Sequence, residues 1–334
     1  MNKFAIHFLC CSVVLVSSIF AKAAPSVEAQ LASKSLLTDI VKTSQDHLIA
    51  VGERGHIIKS EDGINWSQKN VPVDVLLTAV FFVNNNIGWA VGHDATILRT
   101  NDAGEHWFVQ QHLPETDKPL LDIHFRNENE GIAIGAYGLF FRTTNGGITW
   151  QEEFQSELLI EDDQIYLEEL KEEDVEAYNL EKEFILPHFN RLYADGVTLF
   201  MVGEAGFMAK SNDFGSNWER LPEIYMGSFY DIIRTPKSSI IAIGLRGNIF
   251  RSTNNGVDWE QVTSPITASL NSAFVDQFNR VVLVGNAGAI LISEDDGKSF
   301  KLIEQADRKA ILNGIIYNKN LLLVSEVGIK QVNS

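Results

Sequence analysis

The chain has 334 residues, 45% of them hydrophobic and 21% charged; this suits a packed globular protein and excludes a mostly disordered one. Lys and Arg number 27 against 44 Asp and Glu, a net charge of −17, which excludes broad electrostatic capture of nucleic acid because that requires a basic surface. The length admits one large domain or two small ones, at about 150 residues per domain.

Residues 1–23 read as a secretory signal peptide. Lys3 supplies a short positive region, Phe4 to Phe20 the apolar stretch, and Ala21-Lys22-Ala23 a small-x-small cleavage site. Cys10 and Cys11 both lie inside it. The mature chain, residues 24–334 with a charge of −19, is therefore expected to have no disulfide, no cysteine nucleophile and no cysteine metal site. No later apolar run approaches about 18 residues, so no transmembrane segment is expected in the mature chain. The protein is expected in the periplasm or the medium.

The rest of the sequence repeats. Leu36 to Trp66 (LLTDIVKTSQDHLIAVGERGHIIKSEDGINW) is followed by Leu76 to Trp107 (LLTAVFFVNNNIGWAVGHDATILRTNDAGEHW), and further copies run to the C-terminus. Each closes on an aromatic residue: Trp66, Trp107, Trp150, Trp218, Trp259 and Phe300, at spacings of 41, 43, 68, 41 and 41. A period near forty with several short strands per unit indicates propeller blades. In the second unit, Leu76 to Val83 reads as an inner strand, Gly88 to Val91 as a second, Thr96 to Thr100 as a third, and Trp107 opens a fourth. Turns of G-x-x-G type between second and third strands begin at Gly52, Gly92, Gly135, Gly203, Gly244, Gly285 and Ser325, with glycine expected to permit positive φ. Seven turns predict an all-β fold, a seven-bladed propeller of four-stranded blades. The seventh unit stops before an outer strand, and Ser26 to Leu31 stands ten residues ahead of Leu36 as Trp66 does ahead of Leu76. That segment is expected to close the ring as the outer strand of the last blade.

Between third and fourth strands runs Ser/Thr-x-Asp/Asn-x-Gly-x-x-Trp/Phe, the Asp-box. Its polar and aromatic members are Asp102 and Trp107, Asn145 and Trp150, Asp213 and Trp218, Asn254 and Trp259, Asp295 and Phe300, with Asp62 and Trp66 in a first copy one residue short. The carboxylate or amide is expected to accept backbone N–H bonds of its own turn, and the ring to pack between blades. These acids are structural in this reading, not catalytic. Sialidases also carry the motif, but need convergent arginines, a tyrosine and an acid. Here Arg99, Arg142, Arg251, Lys59 and Lys210 recur at one strand position, which points to blade packing. No catalytic residue, cofactor or metal site is expected.

The ordered turns GERG, GHDA, GAYG, GEAG, GLRG and GNAG, together with the boxes that follow them, resemble bacterial propellers related to the photosystem II stability and assembly factor. The resemblance covers about Ser26 to Ser334. It implies a noncatalytic role in assembling a membrane complex; non-photosynthetic relatives resemble envelope partners of resistance-nodulation-division transporters. An arginine-rich patch goes with the photosynthetic branch, and Arg54 and Arg246 are the candidates here.

The turns that differ between blades present Glu53, Arg54, His93, Asp94, Tyr137, Glu204, Arg246, Asn286 and Glu326 on one face. Variable loops on a rigid repeat are where recognition sits. The spacing of 68 holds an acidic insertion, residues 152–184, with fourteen acids and two lysines. Asp162 or Asp163 is expected to cap a helix whose Leu167, Leu170, Asp174 and Tyr178 fall near one face. The sequence thus predicts an exported, noncatalytic interaction or assembly factor whose partner is a protein, an envelope membrane complex, and not nucleic acid. A secreted glycan-binding or sialidase-like propeller is the alternative.

Overall fold

The computed structural model describes residues 24–333; the expected signal peptide, residues 1–23, lies outside them. Seven antiparallel sheets form, six of four strands and one of three among the described residues. Their innermost strands are Leu37–Lys42, Leu77–Phe82, Leu120–Phe125, Phe189–Asp195, Phe229–Arg234, Leu270–Val275 and Ile311–Tyr317. The second blade continues with Gly88–Gly92, Thr96–Thr100 and Phe108–Gln111, close to the strands read from its sequence. Second strands such as Leu48–Gly52, Gly131–Gly135, Ile240–Gly244 and Val281–Gly285 are buried throughout, because each sheet is covered on both faces by its neighbours. Apolar runs without alternation are the sequence signature of that double burial.

The last turn glycine takes positive φ as expected, and the first does not. The first glycine is extended, at φ −177° for Gly52, and is needed for room: a Cβ there would stand 2.1 Å from the Leu36 carbonyl oxygen. Positive φ falls instead on the third and fourth turn residues, Arg54 at 55° and Gly55 at 68°.

The seventh blade has three strands, Ile311–Tyr317, Asn320–Ser325 and Gly328–Asn333. The expectation that Ser26 to Leu31 completes it is not met. That segment is not a strand, and it is tied to the first blade: Ser26 N–H donates to the Val71 carbonyl (2.9 Å), Ala29 N–H to Gln68 Oε1 (2.8 Å), and Gln68 Nε2 to the Val27 carbonyl (3.0 Å). Val27 and Leu31 are 77% and 63% exposed, so burial does not draw the segment across to the seventh blade. The chain meets that blade just after this segment, where Ser33 and Lys34 lie against Gly328 and Ala32, with Ala29 beside it, joins the buried cluster of Tyr317, Leu322 and Val324. Closure comes from packing between first and last blades, where Ile40, Leu48 and Ile58 bury against Tyr317, Leu322 and Val324. Asn313 Nδ2 also donates to Asp39 Oδ1 across this seam.

The acidic insertion is two helices, α1 (Glu161–Glu173) and α2 (Val175–Lys182). Asp162 and Asp163 do not cap α1: its N-cap is Ile160, without a side-chain bond, and both acids sit in the first turn, where the helix dipole favours them. Asp174 leaves the expected stripe because it caps α2, accepting from Glu176 and Ala177 N–H at 3.0 Å each. Leu167 is buried, and Leu170 and Tyr178 pack beside it against the core of the third and fourth blades.

Candidate functional site

Strands alternate in direction, so the two rims of the ring have different makeup. Loops joining third to fourth strands lie on one rim. Turns joining second to third strands lie on the other, with the connectors that lead to the next blade.

The first rim repeats one structure six times. The Ser or Thr hydroxyl accepts the glycine N–H, at 2.9 Å for Gly63 to Ser60, 3.0 Å for Gly104 to Thr100 and 2.7 Å for Gly215 to Ser211. Asp102, Asn145, Asp213, Asn254 and Asp295 each accept the N–H four residues on, at 2.9–3.0 Å; Asp62, in the shorter copy, accepts from Ile64 and Asn65. These bonds hold the carboxyls ionised. Asn217, through its side chain and N–H, holds Asp213 down at about 2. Asp295 also sits at about 2, since Ser299 outweighs a burial that would raise it. Acids so committed do not donate protons near neutral pH. The rings lie between blades: Trp107 packs with Ile49 and Val51 of the first blade, Trp218 with Ile132 and Phe140 of the third, Phe300 with Ile241 of the fifth. Trp66, Trp150 and Trp259 occupy the same seam and are half-buried.

The recurring cations are spent in the same seams. Arg142 donates to the Phe214 and Gly215 carbonyls (3.0 and 2.7 Å) and pairs with Glu153. Arg251 pairs with Asp296 and Glu260, Lys59 with Glu105, and Lys210 with Glu219. Arg99 lies 5.7 Å from the Trp89 ring centre. No two of these cations belong to the same blade, so they do not converge on one carboxylate-binding pocket.

The other rim keeps one backbone and changes its side chains. Arg54, Asp94, Tyr137, Ala205, Arg246 and Ala287 occupy corresponding turn positions, all with φ between 51° and 59°. Arg54, His93, Tyr137, Arg246, Asn286 and Glu326 are exposed, and Glu53, Asp94 and Glu204 are half-buried. Some are engaged: Glu204 faces His188 (3.5 Å), Glu326 faces Lys309 (3.3 Å), Glu53 Oε1 accepts from Leu36 N–H, and Asn286 Oδ1 accepts from Asn271. Arg54 and Arg246 form no ion pair among the described residues. The nine side chains are spread over the seven blades rather than gathered in one pocket. Arg246 lines a cleft of about 360 Å³ with Asn248, Gln261 and Ile266. Ile266 also lines a neighbouring cleft of about 430 Å³ that ends at Arg308. Arg308 lies in the connector to the seventh blade, outside any repeat motif, so sequence alone did not single it out.

The acidic insertion is itself a connector and emerges on this second rim. Phe184 meets Tyr137 edge-on with ring centres 5.3 Å apart, His188 does so at 4.4 Å, and Lys118 Nζ lies 4.7 Å from the Phe184 ring.

One feature is absent from the sequence reading. The third residue of each innermost strand forms a ring: Asp39, Ala79, Asp122, Arg191, Asp231, Ser272 and Asn313. Asp39, Asp122 and Asp231 each accept the N–H of the next residue and an N–H of the following blade, from Val80 (2.8 Å), Leu192 (2.7 Å) and Ala273 (2.8 Å). Arg191 lies between Asp122 (3.7 Å) and Asp231 (3.8 Å). Burial pushes Asp122 up to about 6 although Arg191 opposes it, and raises Asp231 also. The ring staples blades together. Aligning the repeats on Leu37, Leu77, Leu120, Phe189, Phe229, Leu270 and Ile311 exposes it as a polar residue at one place in apolar runs, in all but the second repeat, which has Ala79.

The family described as Photosynthesis system II assembly factor YCF48 matches residues 20–113. A Photosystem II assembly lipoprotein Ycf48 of Synechococcus sp. (strain CC9902) is 24% identical over 51% of this chain. A Photosystem II assembly protein Ycf48 of Synechococcus sp. (strain JA-2-3B'a(2-13)) is 24% identical over 56%. The chain is related to the photosystem II assembly factor family. Its alignments span 44% and 49% of those two relatives. The solved structure of YCF48 bound to D1 peptide superposes with a TM-score of 0.68 at 20% identity, covering 93% of this chain and all of that one, a likeness that shows the shared fold.

Proposed function

We propose that this protein is an exported, noncatalytic interaction factor that assists assembly of an envelope membrane complex, and that it docks through the rim of variable turns. The observation that carries the reading is the constant left-handed turn backbone, which presents Arg54, Tyr137 and Arg246 outward while the opposite rim spends its polar groups on itself. Rigid scaffold and divergent side chains together are what recognition requires. A relative that is solved with a bound peptide supports a protein partner, and relatives named as assembly factors support a role without catalysis. Residues 1–23 are the proposed export signal, and a transporter of the resistance-nodulation-division type is the proposed complex.

The test is affinity capture of the tagged protein from detergent-solubilised envelopes, comparing wild type with the Arg54→Glu, Arg246→Glu double variant. A membrane subunit recovered with wild type and lost in the variant, at unchanged thermal stability, is expected. Equal recovery would remove the rim of variable turns from the account, and recovery of the protein alone would remove the assembly role.

A further inference from the structure

The acidic connector is folded onto the ring on one side and open on the other. Leu158, Leu159, Leu167 and Leu186 are buried with Ile132 and Trp218, and Arg220 Nη1 donates to the Leu158 carbonyl at 2.8 Å. Helices of 13 and 8 residues are marginal by themselves, so this docking holds them. The outer side leaves Ile165, Tyr166, Val175, Leu180 and Phe184 between 45% and 62% exposed. Two grooves, lined by other residues, run along the same connector. One, of about 410 Å³, is floored by Phe154, Leu159, Leu167 and Tyr178. The other, of about 430 Å³, shares Phe154 and runs between α2 and the Tyr137 turn. Exposed apolar groups and grooves with aromatic walls on one connector mark an interaction surface.

We propose that this surface binds a basic, amphipathic polypeptide segment of a partner, with its apolar side chains in the grooves and its Lys and Arg facing the acids. Charge complementarity selects the occupant. The connector carries fourteen acids against two lysines, with Glu157 and Glu168 lining one groove and Glu152, Glu153 and Glu183 the other. The two lysines already lie against aromatic walls: Lys182 Nζ is 5.8 Å from the Phe154 and Tyr178 ring centres, and Lys171 Nζ is 5.6 Å from Tyr178. A partner's cations would make the same contact. Anionic lipid is repelled by this charge. Among the described residues no group of three or more His, Cys, Asp or Glu is placed to hold a metal ion. The surface extends the protein-interaction reading to a second contact that does not use the arginine turns.

The test measures fluorescence anisotropy of a labelled amphipathic leucine–lysine helix titrated with the mature chain, beside a peptide of the same composition in scrambled order. Saturable binding, at least about tenfold tighter for the amphipathic order, is expected. Two variants, Ile165→Ser with Leu180→Ser and Glu168→Gln with Glu172→Gln, should each weaken it about tenfold while keeping the urea midpoint. The Arg54→Glu, Arg246→Glu variant should bind as wild type, so a failure of the arginine rim and a failure of this surface give different results. Equal binding of the scrambled peptide, no saturable binding, or binding indifferent to both acidic-connector variants would overturn the proposal.

Discussion

The two rims of the ring are built from similar backbone and used in opposite ways. On the rim of repeated loops, left-handed residues and glycines return the chain so that each Ser, Asp or Asn bonds its own turn. On the rim of variable turns the same left-handed conformation leaves Arg54 and Arg246 exposed and sets Tyr137, partly exposed, against Phe184 and His188. Repetition therefore marks what holds the blades, and divergence marks what is free to bind. The sharpest contrast in stability follows from that division. Trp107→Ala removes a ring buried between two blades and is expected to cost about 3–5 kcal/mol. The Arg54→Glu, Arg246→Glu variant should stay within about 0.5 kcal/mol of wild type, and urea unfolding of both measures the difference. Similar losses would erase the distinction between rims.

The inner polar ring comes next in expected size. Arg191→Met leaves Asp122 and Asp231 without their shared cation, and a loss of about 2–3 kcal/mol is expected, reduced from a fully buried case because Arg191 is 20% exposed. Adding Asp122→Asn should recover part of it in a double-mutant cycle; strict additivity would show that Arg191 does not act through the carboxylates.

The same blade carries two groups with opposed pH dependence. Asp122, raised to about 6, binds its proton more readily folded than unfolded, so its contribution to stability falls as pH rises from about 4 to about 6. Burial lowers His124 to about 4, so its contribution falls as pH drops from about 6.5 to about 4. His124 packs by Phe81 and Phe214, and His124→Phe keeps that apolar contact. Relative to wild type, this variant should gain on the order of 2 kcal/mol on acidification across that window. A constant difference between the two proteins would contradict the assigned direction. Below about pH 4, loss of the low carboxyls at Asp213 and Asp295 should destabilise both.

The smallest expected loss among the packing changes comes from trimming residues 24–31. Val27 and Leu31 are exposed and the loss is confined to edge bonds with Gln68 and Val71, so about 2 kcal/mol is expected. A larger loss would show that the segment does close the ring.

Blade number, strand order and the repeated loops were legible because they rest on local spacing: an aromatic about every forty residues and a glycine where a Cβ would strike the preceding connector. The path of residues 24–36 was not, because the choice between first and last blade rests on hydrogen bonds to Gln68 and Val71 at the edge of the first blade, not on pattern. The helices of the insertion were readable from composition, but their caps were not, since Asp174 serves as a cap at a position that periodicity assigned to a packed face. The Asp122–Arg191–Asp231 arrangement needs blades 3, 4 and 5 side by side. Arg308 lies outside the repeat motifs, and only the fold brings its connector beside the Ile266 cleft.

The central claim is that the rim of variable turns, with the acidic connector on it, is the docking face. Site-specific photocrosslinking in intact envelopes tests this most directly, with the probe at Arg54, Arg246 or Glu172 on that rim and at Ile64, Ile148 or Val257 on the other. Those last three are 74%, 70% and 58% exposed, so accessibility does not bias the result against them. The account predicts adducts to another protein from the first set and none from the second. Adducts from Ile64, Ile148 or Val257 alone would place the partner on the rim of repeated loops and contradict it.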